Sequence, residues 1–136
     1  MTQTVLTIQT AGRGLSDITG RLALLVEQAA VTSGLCHVFV QHTSASLLIN
    51  ENADPDVQRD LETFFSALAP DGDPRYVHTA EGPDDMTAHV RTALTQTSLT
   101  IPIRDGRLAL GRWQGVFLWE HRHRPHRRQI VISVVG

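Results

Sequence analysis

Lysine is absent from this 136-residue chain, and all twelve of its basic residues are arginine. Fourteen acidic residues bring the net charge to −2, which argues against the basic profile of a general nucleic-acid binder. Only one cysteine is present, so an internal disulfide is excluded. Cys36 lies in an apolar run and reads as a small buried hydrophobe rather than a reactive thiol. No apolar stretch approaches the roughly 20 residues that span a bilayer. Residues 1–10 have no basic segment leading into a long apolar one. The expected setting is therefore reducing and cytoplasmic, away from the membrane. Neither repeat nor linker divides the chain, which reads as one domain over residues 1–136.

Residues 3–9 are rich in β-branched side chains and predict a strand, with "AGRGLSD" as a loop after it. Ser16 is the expected cap of a helix over about 17–31, ending at Gly34. The run "LCHVFVQH" (35–42) predicts a central strand covered on both faces, and "SASLLIN" a further short strand. Asp54-Pro55 starts a helix that Pro70 ends, with Val57, Leu61, Phe64, Phe65 and Leu68 on one apolar stripe. A third helix is expected over about 84–95, with Met86, Val90, Ala93 and Leu94 inward. The remainder reads as β, including a hairpin through "RDG" and strands over 113–120 and 129–135. Together these predict a single compact α+β domain, antiparallel-rich, with about three helices.

Seven histidines are many for this length. His37 reads as structural, whereas His42 ends its strand where a side chain can reach a cleft. His89 follows Asp85 by four residues on one helical face, so the carboxylate could join a ligand set or orient the imidazole. From spacing alone, His42, His78 and His89 either share a divalent metal or are three separate surface histidines. Ser44, Ser46 and Asn50 could donate to phosphate oxygens, and Glu51 could handle protons or ligate. Gly111 and Gly115 bracket Trp113 and Gln114, which makes the Gln114 amide a candidate polar contact. The basic loop "HRHRPHRR" (121–128) reads either as a solvated connection or as a grip for phosphate or RNA.

Three long blocks carry a resemblance: "HTSASLLINENADPDV", "YVHTAEGPDDMTAHV" and "SLTIPIRDGRLALGRWQGVFLWEHR". Together they resemble the YjbQ family of small bacterial and archaeal proteins. The resemblance implies a β-sandwich-like core, a homotrimer with clefts near subunit boundaries, and histidines gathered around a metal or anion. It places the histidines on His42, His78 and His89, the Asn-Glu pair on Asn50 and Glu51, and the acidic pair on Asp84 and Asp85. It also implies thiamine-phosphate synthase activity, joining a hydroxymethylpyrimidine diphosphate to a thiazole phosphate with release of pyrophosphate. In that reading zinc, manganese or magnesium is the cofactor, held by His42, His78 and His89. Glu51 and Asp85 are catalytic, and Ser44, Asn50 and Gln114 bind a small phosphorylated substrate. Three histidines suit zinc or manganese better than magnesium, which prefers oxygen ligands. The alternative is a non-catalytic trimer that binds a metal, an anion or RNA.

Overall fold

The stretch "TQTVLTIQ" forms strand β1 (Thr2–Gln9) in the computed structural model, which spans Met1–Gly136. The chain continues as β2 (Gly14–Asp17), α1 (Thr19–Ala29), β3 (Gly34–Val40), β4 (Ala45–Glu51), α2 (Pro55–Leu68) and α3 (Asp85–Leu94). It ends with β5 (Ser98–Arg104), β6 (Arg107–Leu108), β7 (Gln114–Glu120) and β8 (Arg127–Val135). The strands form two antiparallel sheets, one ordered β1-β8-β3-β5-β6 and the other β2-β7-β4. The expected α+β domain with three helices is what the chain adopts.

One face of the five-stranded sheet carries Cys36, Val38, Val40, Ile101, Ile130 and Ile132. It packs with Leu22 and Val26 of α1 and with Leu47, Val116 and Leu118 of the smaller sheet into one core. The opposite face of the smaller sheet bears Ser46, Phe117, Trp119 and His121, all buried. Phe65 of α2 stacks edge-on against Trp119 with centroids 4.9 Å apart, and Trp119 Nε1 donates to Glu62 at 2.9 Å. β7 is therefore the strand covered on both faces, with every residue from Gly115 to Glu120 buried.

Several expectations change at the level of packing. β3 is covered on one face only: Leu35 and Phe39 face outward. Ser16 does not cap α1; it sits in β2, which pairs with β7, and Asp17 accepts from Thr19 N–H instead. Gly34 begins a strand rather than ending the helix, which Ala30 caps, and glycine is needed there because a Cβ would meet Val135 O at 1.9 Å. The Asp54-Pro55 start holds, with Asp54 accepting from Asp56 N–H at 2.9 Å. Such a cap contributes about 1 kcal/mol. Yet none of the apolar residues of α2 is buried. Helix α3 turns Asp85, Thr87, Ala88, Arg91 and Thr92 inward, and leaves Leu94 exposed. It packs beside Ser46 and His121 on that face of the smaller sheet, where Arg91 donates to His121, so its polar stripe is the one that finds partners.

Candidate metal centre

Helix α3 and an irregular segment before it bring three ligand atoms together. His78, Asp85 and His89 offer one each, all within 4.8 Å of one another. Asp85 Oδ2 lies 2.7 Å from His78 Nε2 and 3.4 Å from His89 Nε2. Ligands held about 2.0–2.1 Å from one ion stand roughly 3–3.4 Å apart, so the His89 spacing suits a cation, while His78, hydrogen-bonded to Asp85, has to open by a few tenths of an ångström to join it. His89 Nδ1 donates to Thr43 O at 2.9 Å, which leaves the Nε2 lone pair facing the group. Asp85 is almost wholly buried, while the two imidazoles reach solvent. Burial pushes the Asp85 carboxyl up, but hydrogen bonding from His78 and the charges of His89 and Arg122 outweigh it and hold it below the usual range. The donor set is two imidazoles and a carboxylate, which fits a divalent transition metal. A cavity of about 460 Å³ opens beside His78, lined also by Tyr76, Thr79 and Gly82.

Within one chain His42 is not part of this group. Its Nε2 accepts from Gln129 N–H at 2.8 Å, and its ring lies near Glu120, Arg128 and His126. Burial, with Arg128 next in effect, pushes its pKa down. Ser44 is engaged by Arg128, which donates to its Oγ at 3.0 Å. Asn50 accepts from Glu51 N–H, Glu51 accepts from Asp54 N–H, and Gln114 accepts from Gly111 N–H. Glu51 pairs with Gln114, and Ala45 with Glu120, at opposite ends of the β4–β7 ladder. Six residues separate those pairs, or roughly 20 Å at strand rise. The chain alone does not bring Glu51, Asn50 and Gln114 to the cluster that holds His89 to Thr43.

A second polar network lies under α2 and α3 and gave no local sequence signal. Arg91 is fully buried, and its Nε donates to His121 Nδ1 at 2.9 Å. Burial and the nearby arginines push the His121 pKa down to about 2, so the ring is neutral. An arginine can only donate, so His121 Nδ1 accepts and Nε2–H donates to Ser46 Oγ, 2.7 Å away. Ser46 Oγ therefore accepts a hydrogen bond from the imidazole and is buried away from any phosphate it was expected to bind. Arg91 Nη2 lies 2.7 Å from Glu62 Oε1, outside hydrogen-bond alignment, and Arg91 Nη1 has no partner.

The basic loop does not present a grip. Arg122 bonds Asp84, Asp85 and Glu81 O, His123 bonds Asp71, and Arg128 pairs with buried Glu120. Only Arg124 and Arg127 of its arginines remain exposed. A polyanion needs several free cations in a row, which this loop does not offer.

A family model described as "UPF0047 protein YjbQ-like" matches residues 4–136. UPF0047 protein sll1880 of Synechocystis is 55% identical over 134 residues, covering 98% of this chain and 91% of its own. UPF0047 protein YjbQ of Escherichia coli O157:H7 is 42% identical, covering 98% and 97%. An uncharacterised YjbQ/UPF0047 protein of Clostridium acetobutylicum superposes with a TM-score of 0.89 at 33% identity, covering 97% and 99%. Hypothetical protein APE1520 of Aeropyrum pernix does so at 0.91 and 29% identity, covering 100% and 99%. None of these is described as a thiamine-phosphate synthase. The expected synthase activity is withdrawn on that finding. No helix is long and apolar enough to cross a membrane.

Proposed function

The chain belongs to the UPF0047 family of YjbQ-like proteins, and from its geometry we propose that it binds one divalent transition-metal ion between His78, Asp85 and His89. The carrying observation is the approach of both imidazole Nε2 atoms to one oxygen of a buried carboxylate. Two imidazoles favour zinc, manganese, iron or cobalt over magnesium. Three protein ligands leave open positions, at which a metal lowers the pKa of water or takes an anionic group. The cavity beside His78 is large enough for a small ligand next to that group. Arg75 and Arg122 are already paired with carboxylates. An anionic ligand is thus held by the metal rather than by an arginine. A cytoplasmic setting belongs to the same proposal, supported by the buried free thiol of Cys36, which burial pushes up to about 11. The test is calorimetric titration of chelator-stripped protein with Zn²⁺ and with Mn²⁺. One ion per chain is expected, and no binding of either at about 100 μM overturns the reading, since that corresponds to less than about 6 kcal/mol.

Self-association is proposed alongside it. Helix α2 is amphipathic but buries no residue, and Phe64 and Leu68 are 61% and 53% exposed. An apolar stripe left in water marks an interface, and a homotrimer is the assembly proposed. Sedimentation equilibrium should give three chains for the native protein and one for Phe64→Asp. A monomeric native protein rules the assembly out.

A further inference from the structure

We infer that Arg122 is a positioning residue that sets the metal preference of the His78–Asp85–His89 site; the inference rests on the metal reading above. The Arg122 guanidinium is spent entirely on this corner of the protein. Its Nη1 donates to Asp85 Oδ1 at 2.8 Å, its Nε to Asp84 Oδ2 at 3.1 Å, and its Nη2 to Glu81 O at 2.9 Å. The backbone N–H of Arg122 is in turn held by the buried Glu120 at 3.2 Å. Asp84 also accepts from His123 N–H at 2.9 Å, so the anchor is fixed from both sides.

The consequence falls on Asp85. One of its oxygens, Oδ1, is occupied by the guanidinium, and only Oδ2 faces the two imidazoles. The carboxylate is thereby confined to ligation through one oxygen, and the guanidinium withdraws part of its negative charge. Hard cations draw their binding energy from carboxylate charge and from two-oxygen ligation, whereas softer ones draw it from imidazole nitrogen. Arg122 penalises the first group more than the second, which keeps its imidazole ligands. The site is biased toward Zn²⁺ over Mn²⁺ by a residue that never contacts the ion.

The test uses the full chain, stripped of metal, as native protein, Arg122→Gln and Arg122→Lys. Dissociation constants for Zn²⁺ and Mn²⁺ are measured by titration, and folding by circular dichroism. In Arg122→Gln the preference for Zn²⁺ over Mn²⁺ should fall by about 10-fold or more, the scale at which groups behind a ligand act. Arg122→Lys keeps the charge but lacks the planar fork, and should move the ratio in the same direction by less. Equal weakening of both metals, with the ratio within twofold of native, is what loss of local structure alone would give, and overturns the inference. If Arg122→Gln does not fold, an unshifted ratio in folded Arg122→Lys overturns it instead. Failure of the native protein to bind either metal is a separate result that removes the metal site itself.

Discussion

Replacing His89 with alanine should leave the fold in place and weaken Zn²⁺ binding by at least about 100-fold, more than the loss of a group behind a ligand costs. The two halves of this expectation have different causes. His89 stands on α3 with its side chain 31% exposed, and alanine is the better helix former, so the helix loses nothing. The Thr43 carbonyl that His89 Nδ1 bonds lies at an exposed position and turns to water. The metal, by contrast, loses one of three protein ligands and the one whose ring orientation is fixed by the backbone. Calorimetric titration and a thermal melt on the same sample separate the two. Binding within threefold of native would remove His89 from the ligand set, and a melt lowered by more than about 5 °C would mean that the histidine holds the fold, as a loss of about 1 kcal/mol does in a domain of this size.

How much of this centre could be read in advance depends on the range of the signal. The four-residue step from Asp85 to His89 is a helical repeat, and it alone places both groups on one face. His78 lies in an irregular segment, and only its partner across the turn tells where it points. For α2 the stripe from Val57 to Leu68 was legible, and so was the cap at Asp54. Periodicity gives a face but not what the face meets, and this one meets Trp119 through Phe65 and leaves Phe64 and Leu68 in water. The same limit misdirected α3. Its apolar residues Met86, Val90 and Leu94 invited burial, yet the sheet beneath presents His121 and the chain just after α2 presents Pro70 O, so Arg91 and Thr87 went in. β2 was missed because four residues with a glycine and an aspartate carry no alternation, and its only support is pairing with β7. The Glu62–Arg91–His121–Ser46 network spans 75 residues between Ser46 and His121, and no window of sequence contains it.

Replacing Glu120 with glutamine should cost about 3–5 kcal/mol of stability. Glu120 is wholly buried and Arg128 is 3% exposed. The carboxylate accepts from Arg128 Nε at 2.8 Å and again from Nη2, from Thr10 Oγ1 at 2.7 Å and from Arg122 N–H at 3.2 Å. It thus joins the ends of β1, β7 and β8. Removing its charge leaves a buried guanidinium without a counter-ion, which is worse than having neither group. The double change Glu120→Leu with Arg128→Met should therefore recover more than half of the loss. Denaturant unfolding of the three proteins measures this, and equal losses in single and double variants would refute the pairing argument. Acid gives an independent reading. Burial pushes the Glu120 carboxyl up, but Arg128, Thr10 and Arg122 N–H outweigh it and hold it below the usual range. A depressed carboxylate contributes stability above its unfolded pKa of about 4.3 and loses it as pH falls through the folded value. Native protein should weaken from about pH 4 downward, and the Glu120→Gln protein should weaken less steeply, since glutamine has no proton to take up. The effect also reaches the metal centre. Arg128 Nη2 donates to Ser44 O and Oγ, and so fixes the segment whose preceding residue, Thr43, orients His89. A loosened pair at the core edge should therefore lower Zn²⁺ affinity as well, by less than loss of His89 itself.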